Sequence, residues 1–265
     1  MTTLGTALIT GASTGIGAVY ADRLAKRGYD LVLVARDAAR LEALATRLRD
    51  ETGRMVAVLP ADLTARTDVA KVEARLGEGD VTLLVNNAGM SLTGNLLDSE
   101  VASVERLIAL NVTAVTLLAG AAARAFAARG TGAIVNLASV LALAPEAFDG
   151  VYSGSKAFVL NLSQSLAGVL EPKGVRVQAV LPGATRTEIW ERSGKDIDAF
   201  PAEMVMEVDD LVDAALAGFD AGETVTIPPL ADEGLWNTLN QARLAMGPHL
   251  SRRDVAARYR APALA

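Results

Sequence analysis

Tyr152 and Lys156 stand four residues apart in the run Tyr152-Ser153-Gly154-Ser155-Lys156. On a helix that spacing puts the phenol and the ammonium on one face, a turn apart. The pair suits proton transfer. A free phenol has a pKa of about 10 and keeps its proton near neutrality. Lowering it by about three units takes roughly 4 kcal/mol of differential stabilisation, and a positive charge about 4 Å away supplies about that at an effective dielectric near 20. Ser139 lies thirteen residues before Tyr152, at the end of an apolar run that reads as a strand. A parallel sheet gathers its strand C-termini along one edge, so a hydroxyl there and a phenol on the next helix can meet on one substrate oxygen. Taken alone, Tyr-x-x-x-Lys also describes an exposed tyrosine beside a solvated lysine; the motifs upstream decide between them.

The first of these motifs is Gly11-Ala12-Ser13-Thr14-Gly15-Ile16-Gly17, which follows the apolar run Thr6–Thr10 and precedes a helical stretch. Glycines there serve three separate needs: a tight turn, close backbone approach to a pyrophosphate, and close packing of helix on sheet. The pyrophosphate is expected at the helix N-terminus, where unpaired N–H groups and the helix dipole favour an anion. The spacing G-x-x-x-G-x-G departs from G-x-G-x-x-G, yet a strand before and a helix after favour a nucleotide site over a plain tight turn. Arg36 ends the second apolar run, DLVLVA. At that place an acidic residue accepts from a ribose 2′-hydroxyl and an arginine accommodates a 2′-phosphate, so Arg36 favours NADP over NAD, with neighbouring Asp37 opposing.

These groups need a frame, and the chain supplies one by alternation. Apolar runs rich in Val, Leu and Ile recur at Thr6–Thr10, Asp30–Ala35, Met55–Pro60, Val81–Asn86, Ala133–Ala138, Val175–Leu181 and Thr224–Ile227. They are continuous, as strands covered on both faces require. Between them lie stretches such as Ala38–Glu51, where Leu41, Leu44 and Leu48 mark one helix face. Gly28, Gly53, Gly130 and Gly174 fall where left-handed C-caps are wanted. Alternation with right-handed crossovers predicts an α/β fold: a doubly wound parallel sheet of about seven strands with helices on both faces. The whole of residues 1–265 is read as a single domain, including a substrate-covering segment at 188–210 and a tail at 229–265.

Composition narrows the function. The 265 residues hold 51% apolar side chains, which excludes a disordered chain. The formal charge of −6 argues against nucleic acid. With no cysteine and a single histidine, His249, there is no disulfide framework and no metal cluster. MTTLGTALITG lacks the basic and apolar regions of a signal peptide. The apolar stretch Leu107–Ala128 carries Asn111, Thr113, Thr116 and Arg124, so it reads as a helix buried on most of its surface rather than a membrane span. A cytoplasmic protein with no membrane partner is expected.

Together, Gly11/Gly15/Gly17, Asn86-Asn87-Ala88-Gly89, Asn111, Ser139, Tyr152/Lys156 and Pro182-Gly183 stand in the order and spacing of the short-chain dehydrogenase/reductase family. From about Thr6 to Thr187, plus the last strand, the chain resembles that family, which implies a Rossmann fold and NAD(P)-dependent hydride transfer. The resemblance implies Tyr152 as general acid/base and Lys156 as the group that lowers its pKa and binds the nicotinamide ribose. It implies Ser139 as the group orienting the substrate oxygen and Asn111 as the holder of a water linking Lys156 to solvent. For the cofactor it implies the loop from Gly11 through Ser13, Thr14, Gly15, Ile16 and Gly17. Asn87, Ala88 and Gly89 would lie beside the adenosine, and Asp62 with Leu63 at the adenine. Pro182, Gly183, Thr185 and Thr187 would lie around the nicotinamide. Family members that use NADP often carry a basic residue where Thr14 stands, so the 2′-phosphate rests mainly on Arg36; NADP(H) is favoured and NAD(H) possible.

The substrate expected is a ketone or secondary alcohol, in a pocket drawn from Leu141, Leu143, Phe148, Trp190, Phe200 and Met204. Homodimers or homotetramers built on the Leu107–Ala128 and Val151–Glu171 helices are expected. A catalytically silent NADP(H)-binding regulator is the alternative, and an epimerase or dehydratase a lesser one. The presence of Tyr152, Lys156 and Ser139 together favours the enzyme.

Overall fold

The computed structural model describes residues 4–260; residues 1–3 and 261–265, which the single-domain reading takes in, lie outside the described residues. Seven parallel strands form one sheet in the order β3-β2-β1-β4-β5-β6-β7. They are β1 (Thr6–Thr10), β2 (Asp30–Ala35), β3 (Val56–Pro60), β4 (Val81–Asn86), β5 (Gly132–Leu137), β6 (Val175–Val180) and β7 (Val225–Thr226). The continuous apolarity of the strands has the expected cause. Successive side chains enter opposite layers: Ile9 and Leu33 pack with Tyr20, Leu24, Leu41 and Leu216 on one face. Leu8 and Val32 pack with Val72, Leu118 and Phe126 on the other.

The helices on the first face are α1 (Gly15–Lys26), α2 (Ala38–Thr52) and, later in the chain, Val208–Asp220. On the second face lie α3 (Arg66–Leu76) and the long run of α4 (Val101–Ile108) and α5 (Val115–Arg129), joined by a π-helical turn, Ala109–Ala114. Next come α6 (Gly150–Leu170) and a short α7 (Ile189–Arg192), so Val208–Asp220 is α8. Gly28, Gly53, Gly130 and Gly174 all carry positive φ at helix ends. Strand order reverses beside β1, whose neighbours are β2 and β4; the crevice at that reversal is where an open α/β sheet binds its ligand.

Several strand boundaries shift by a residue, at β3, β5, β6 and β7. β5 stops at Leu137, leaving Ala138 and Ser139 to leave the ladder toward the site, and β7 shrinks to two residues. The run Val101–Arg129 is long and apolar enough to cross a membrane, with a mean hydropathy of 1.6 over its most apolar stretch. Between Leu107 and Ala128 the helix is covered over most of its surface, as expected: Ile108, Thr113, Arg124 and Ala128 are exposed, and the rest is buried or half-buried. Ala114, Leu118, Ala122 and Phe126 enter the core, whereas Val101 and Ile108 are exposed.

The chain separates into two compact units, Met1–Pro229 and Leu230–Ala265. The second holds α9 (Glu233–Met246), capped by Asp232, whose side chain accepts the Gly234 N–H at 2.8 Å. Leu235, Leu239, Leu244, Met246 and Leu250 are exposed. His249 bonds Arg252 there, remote in sequence from Tyr152 and Lys156.

Candidate active site

The loop after β1 is shaped by what its glycines exclude. Gly11 has φ +65 and Gly15 φ +53, both left-handed. A Cβ on Gly17 would lie 2.3 Å from the Gly11 carbonyl oxygen and 2.5 Å from Asn87 Nδ2. One on Gly15 would meet the Thr187 methyl at 3.2 Å, which places the start of α1 beside the loop after β6. Thr14 is the N-cap of α1 in an extended conformation and makes no side-chain cap bond, and no acidic residue stands in the first turn. The N-terminus of α1 thus offers N–H groups and a positive dipole end to an anion, with Ser13 and Ile16 on either side. This cradle fits a dinucleotide pyrophosphate.

Thr10, which sequence reasoning passed over, fastens the crevice. Its Oγ1 accepts the N–H groups of Asn87 at 2.9 Å and Ala88 at 3.0 Å. Asn87 Nδ2 returns to the Thr10 carbonyl at 2.9 Å. The signal was a hydroxyl closing an otherwise apolar strand.

Arg36 is exposed beyond β2 and makes no hydrogen bond or ion pair with any described residue. Its neighbour Asp37 is committed: the carboxylate caps α2 by accepting the Arg40 N–H at 3.0 Å, and it pairs with Arg40 Nε at 3.5 Å. Asp62 is held below the usual carboxylate range, first by the Thr64 N–H, with Arg36 and Arg106 adding positive charge. Leu63 beside it is buried.

At the other end of the crevice, Ser139 is 6% exposed and leaves the sheet in an extended conformation. The Leu141 N–H donates to its Oγ at 3.1 Å, and the Val140 N–H donates to the Pro182 carbonyl at 2.9 Å, which draws the Pro182-Gly183 loop alongside. Thr185 is buried, and its hydroxyl donates to the Gly183 carbonyl at 3.1 Å; Thr187 Oγ1 donates to the Thr185 carbonyl at 3.4 Å.

Tyr152 sits in the first turn of α6 because Asp149 caps that helix, accepting N–H bonds from Val151 at 3.2 Å and Tyr152 at 3.0 Å. The Asx cap three residues ahead of Tyr152 was legible in Asp149-Gly150-Val151-Tyr152 and was missed. Burial pushes the phenol up to about 12, and hydrogen bonding with Ser139 offsets part of that rise. Lys156 is 6% exposed; its Nζ donates to the Leu137 carbonyl at 2.8 Å and lies 5.7 Å from the Tyr152 ring centroid. Burial lowers it to about 8. The expected depression of the phenol by Lys156 is not seen in this geometry: burial is the larger effect, Ser139 supplies the offset, and Tyr152 is a protonated acid at neutral pH.

Asn111 lies in the π-helical turn, 1% exposed. Its Oδ1 accepts the Met90 N–H at 2.9 Å, and its Nδ2 donates to the Met90 carbonyl at 2.8 Å and Ser155 Oγ at 3.2 Å. Both amide hydrogens are engaged, so the side chain splints Met90. A Cβ on Gly89 would stand 3.4 Å from Asn111 Oδ1 and 3.5 Å from Lys156 Nζ, so the Asn87–Gly89 turn abuts both. Among the described residues no group of histidine, cysteine and acidic side chains can hold a metal.

An aromatic wall stands over the phenol. Phe148 meets Tyr152 edge-on at 5.7 Å and Trp190 at 6.4 Å, and Trp190 meets Phe200 at 5.0 Å. Leu143 and Met204, drawn into the pocket by sequence reasoning, are 40% and 59% exposed.

Comparison with known proteins agrees with this arrangement. Residues 5–198 match the family model for short chain dehydrogenases. The chain is 37% identical over 185 residues to human 17-beta-hydroxysteroid dehydrogenase type 3, covering 68% of this chain and 59% of that one. It spans less than two thirds of that enzyme's length. A short-chain dehydrogenase from Sphingobium yanoikuyae, solved in complex with NADPH, superposes with a TM-score of 0.95 at 55% identity, over 97% of this chain and 100% of that one. The bulky-bulky ketone specific alcohol dehydrogenase from Comamonas testosteroni superposes with a TM-score of 0.90 at 50% identity, over 97% and 99% of the two chains.

Proposed function

The chain belongs to the short-chain dehydrogenase/reductase family, and from that premise we propose that it reduces ketones carrying bulky apolar groups, and oxidises the matching alcohols, with NADP(H). The observation that carries this reading is the meeting of Ser139 and Tyr152 beneath the Phe148–Trp190 wall. NADPH supplies the hydride when bound. Arg36 would hold its 2′-phosphate, the α1 N-terminus its pyrophosphate, and Thr185 and Thr187 its nicotinamide end. The NADPH complex of the Sphingobium relative supports the cofactor choice.

Ser139 and Tyr152 bind the carbonyl oxygen. The phenol, protonated at neutral pH and kept so by burial, gives its proton to that oxygen as negative charge develops. Lys156, held on Leu137, keeps a positive charge below Tyr152 and stabilises the phenolate left behind. In the oxidative direction the same phenolate takes the proton from the alcohol. The aromatic wall excludes water and fits flat or bulky apolar substituents. The ketone specificity of the Comamonas relative points the same way. Exposed Val101, Ile108, Phe158 and Val169 on α4 and α6 offer apolar surface for a homo-oligomer.

The test is turnover of a panel of aryl and aliphatic ketones, followed by NADPH absorbance. Tyr152→Phe should cut kcat by at least about 10²-fold, the lower range for losing a positioned proton donor, while still quenching on NADPH titration. Near-normal turnover in that variant would refute the assignment.

A further inference from the structure

Lys195 is a cation that the reaction above does not use, yet it touches two walls of the substrate cleft from the third. Its Nζ stands 3.7 Å above the Phe148 ring centroid and donates to the Leu92 carbonyl at 3.0 Å. Lys195 itself belongs to the segment that follows Thr187. Three separate stretches, after β4, after β5 and after β6, therefore converge on one ammonium.

The local chain is built to deliver it there. Gly194 has φ +66, a conformation that other residues rarely adopt, and a Cβ on it would approach the Thr93 methyl to 3.2 Å. That turn lies on the Leu92–Thr93 loop. The Lys195 N–H donates to the Trp190 carbonyl at 2.9 Å, and the Ser193 hydroxyl donates to the same oxygen at 3.0 Å. Trp190 is fixed in turn, with its Nε1 donating to the Thr185 carbonyl at 2.8 Å. Lys195 is half-buried, and burial disfavours its charge, with Asp149 compensating in part. The Asp149 carboxylate is already spent on capping α6. The ammonium thus has a ring face and a carbonyl for partners rather than a carboxylate.

We propose that Lys195 is a positioning residue that sets substrate specificity: it pins the covering segment to Phe148 and Leu92, so that the aromatic wall is held over Tyr152 and the cleft grips a ketone through a flat aryl group. The inference rests on the ketone-reductase reading above. A cation centred on one face of Phe148 fixes the ring's tilt, which leaves its contact with Tyr152 intact and its partner Trp190 in place. An aryl substituent packs against rings held in this way. A small aliphatic ketone, which reaches the phenol without covering the rings, gains little from them.

Initial rates with NADPH on propiophenone and on cyclohexanone, for the full-length wild type, Lys195→Met, Lys195→Gln and Lys195→Arg, test the assignment. Lys195→Met should raise KM for propiophenone about tenfold with kcat within about threefold, and move KM for cyclohexanone by less than about twofold. Lys195→Arg, which keeps a cation for the ring, should recover most of that loss. Lys195→Gln, which also removes the cation, should show the same split if Lys195→Met is too unstable to assay. An unchanged KM for propiophenone in both Lys195→Met and Lys195→Gln overturns the role of Lys195, as does an equal loss on the two ketones or an arginine variant no better than the methionine one. A wild type that reduces neither ketone overturns the ketone-reductase reading itself and this proposal with it.

Discussion

Lys156 reaches from the second turn of α6 to the end of β5, where its Nζ donates to the Leu137 carbonyl at 2.8 Å. One carbonyl serves an ammonium with three protons in a buried place, and its pKa falls to about 8 from an ordinary 10.5. Between those two values the folded chain binds fewer protons than the unfolded one, so stability rises with pH across that window. Below about pH 8 the penalty is present in full, on the order of 3 kcal/mol at most. Lys156→Met removes this titration and, on the proposed mechanism, should abolish turnover. Its stability relative to wild type should be greatest at pH 7 and should shrink toward pH 9.5 in urea melts. A difference that does not change with pH would show that the ammonium is not desolvated as described.

Arg36 is the residue we propose to govern the choice of nicotinamide cofactor, because the competing carboxylate beside it is occupied. Asp37 is bound to the Arg40 N–H and side chain, whereas Arg36 makes no hydrogen bond or ion pair with a described residue. Losing a charge-assisted contact costs about 1.5–3 kcal/mol, or roughly ten- to a hundredfold in binding. Arg36→Glu should therefore raise KM for NADPH by at least about tenfold and reverse the preference toward NADH. Equal specificity constants for NADPH in the two proteins would remove Arg36 from the site.

Much of this was readable in the chain because burial writes itself into residue type. Leu8 and Ile9 are both apolar because they face opposite packed layers, and that continuity announced a parallel sheet. Gly11, Gly15 and Gly17 were recognisable because no other residue tolerates their φ or their neighbours. What escaped were side chains whose partners are distant in sequence. Thr10 looks like the end of a strand until Asn87 and Ala88 arrive from 77 and 78 residues away. Lys195 looks solvated until Leu92, 103 residues earlier, is seen beneath it. The high pKa of Tyr152 escaped for another reason: spacing reports how near Lys156 lies, not how much water is removed from the phenol.

Gly17 gives the sharpest steric prediction. It is a helical residue with ordinary φ, so backbone strain is not its reason for being glycine; contact is. The added methyl of Gly17→Ala would lie 2.3 Å from the Gly11 carbonyl oxygen, which is main chain and cannot swing aside. Relief requires the loop to move off α1, which separates the turn from the N–H groups meant for the pyrophosphate. We expect NADPH affinity to fall at least about tenfold, equivalent to about 1.4 kcal/mol, while the circular dichroism spectrum stays that of the folded chain. Fluorescence titration with NADPH checks this, and an affinity within twofold of wild type would contradict it.

Tyr20 stands on α1 within the core, 1% exposed, among Ile9, Leu24 and Leu41. Its hydroxyl is buried and has no hydrogen-bond partner among the described residues, and burial raises its pKa far above the ordinary phenol value. An unsatisfied buried hydroxyl costs about 1–3 kcal/mol in desolvation, whereas the ring contributes ordinary apolar packing. Tyr20→Phe keeps the ring and removes the penalty, leaving a void smaller than a water molecule. The variant should be more stable by about 1 kcal/mol, a rise in Tm of about 2–4 °C for a chain of this size. Turnover should be unaffected, since Tyr20 touches neither Tyr152 nor the glycine loop through any hydrogen bond. Thermal melts at pH 7, where the phenol is neutral in both folded and unfolded chains, separate the packing effect from titration. A loss of stability instead would mean that the hydroxyl is satisfied in solution and that the core around α1 is more polar than its apolar lining implies.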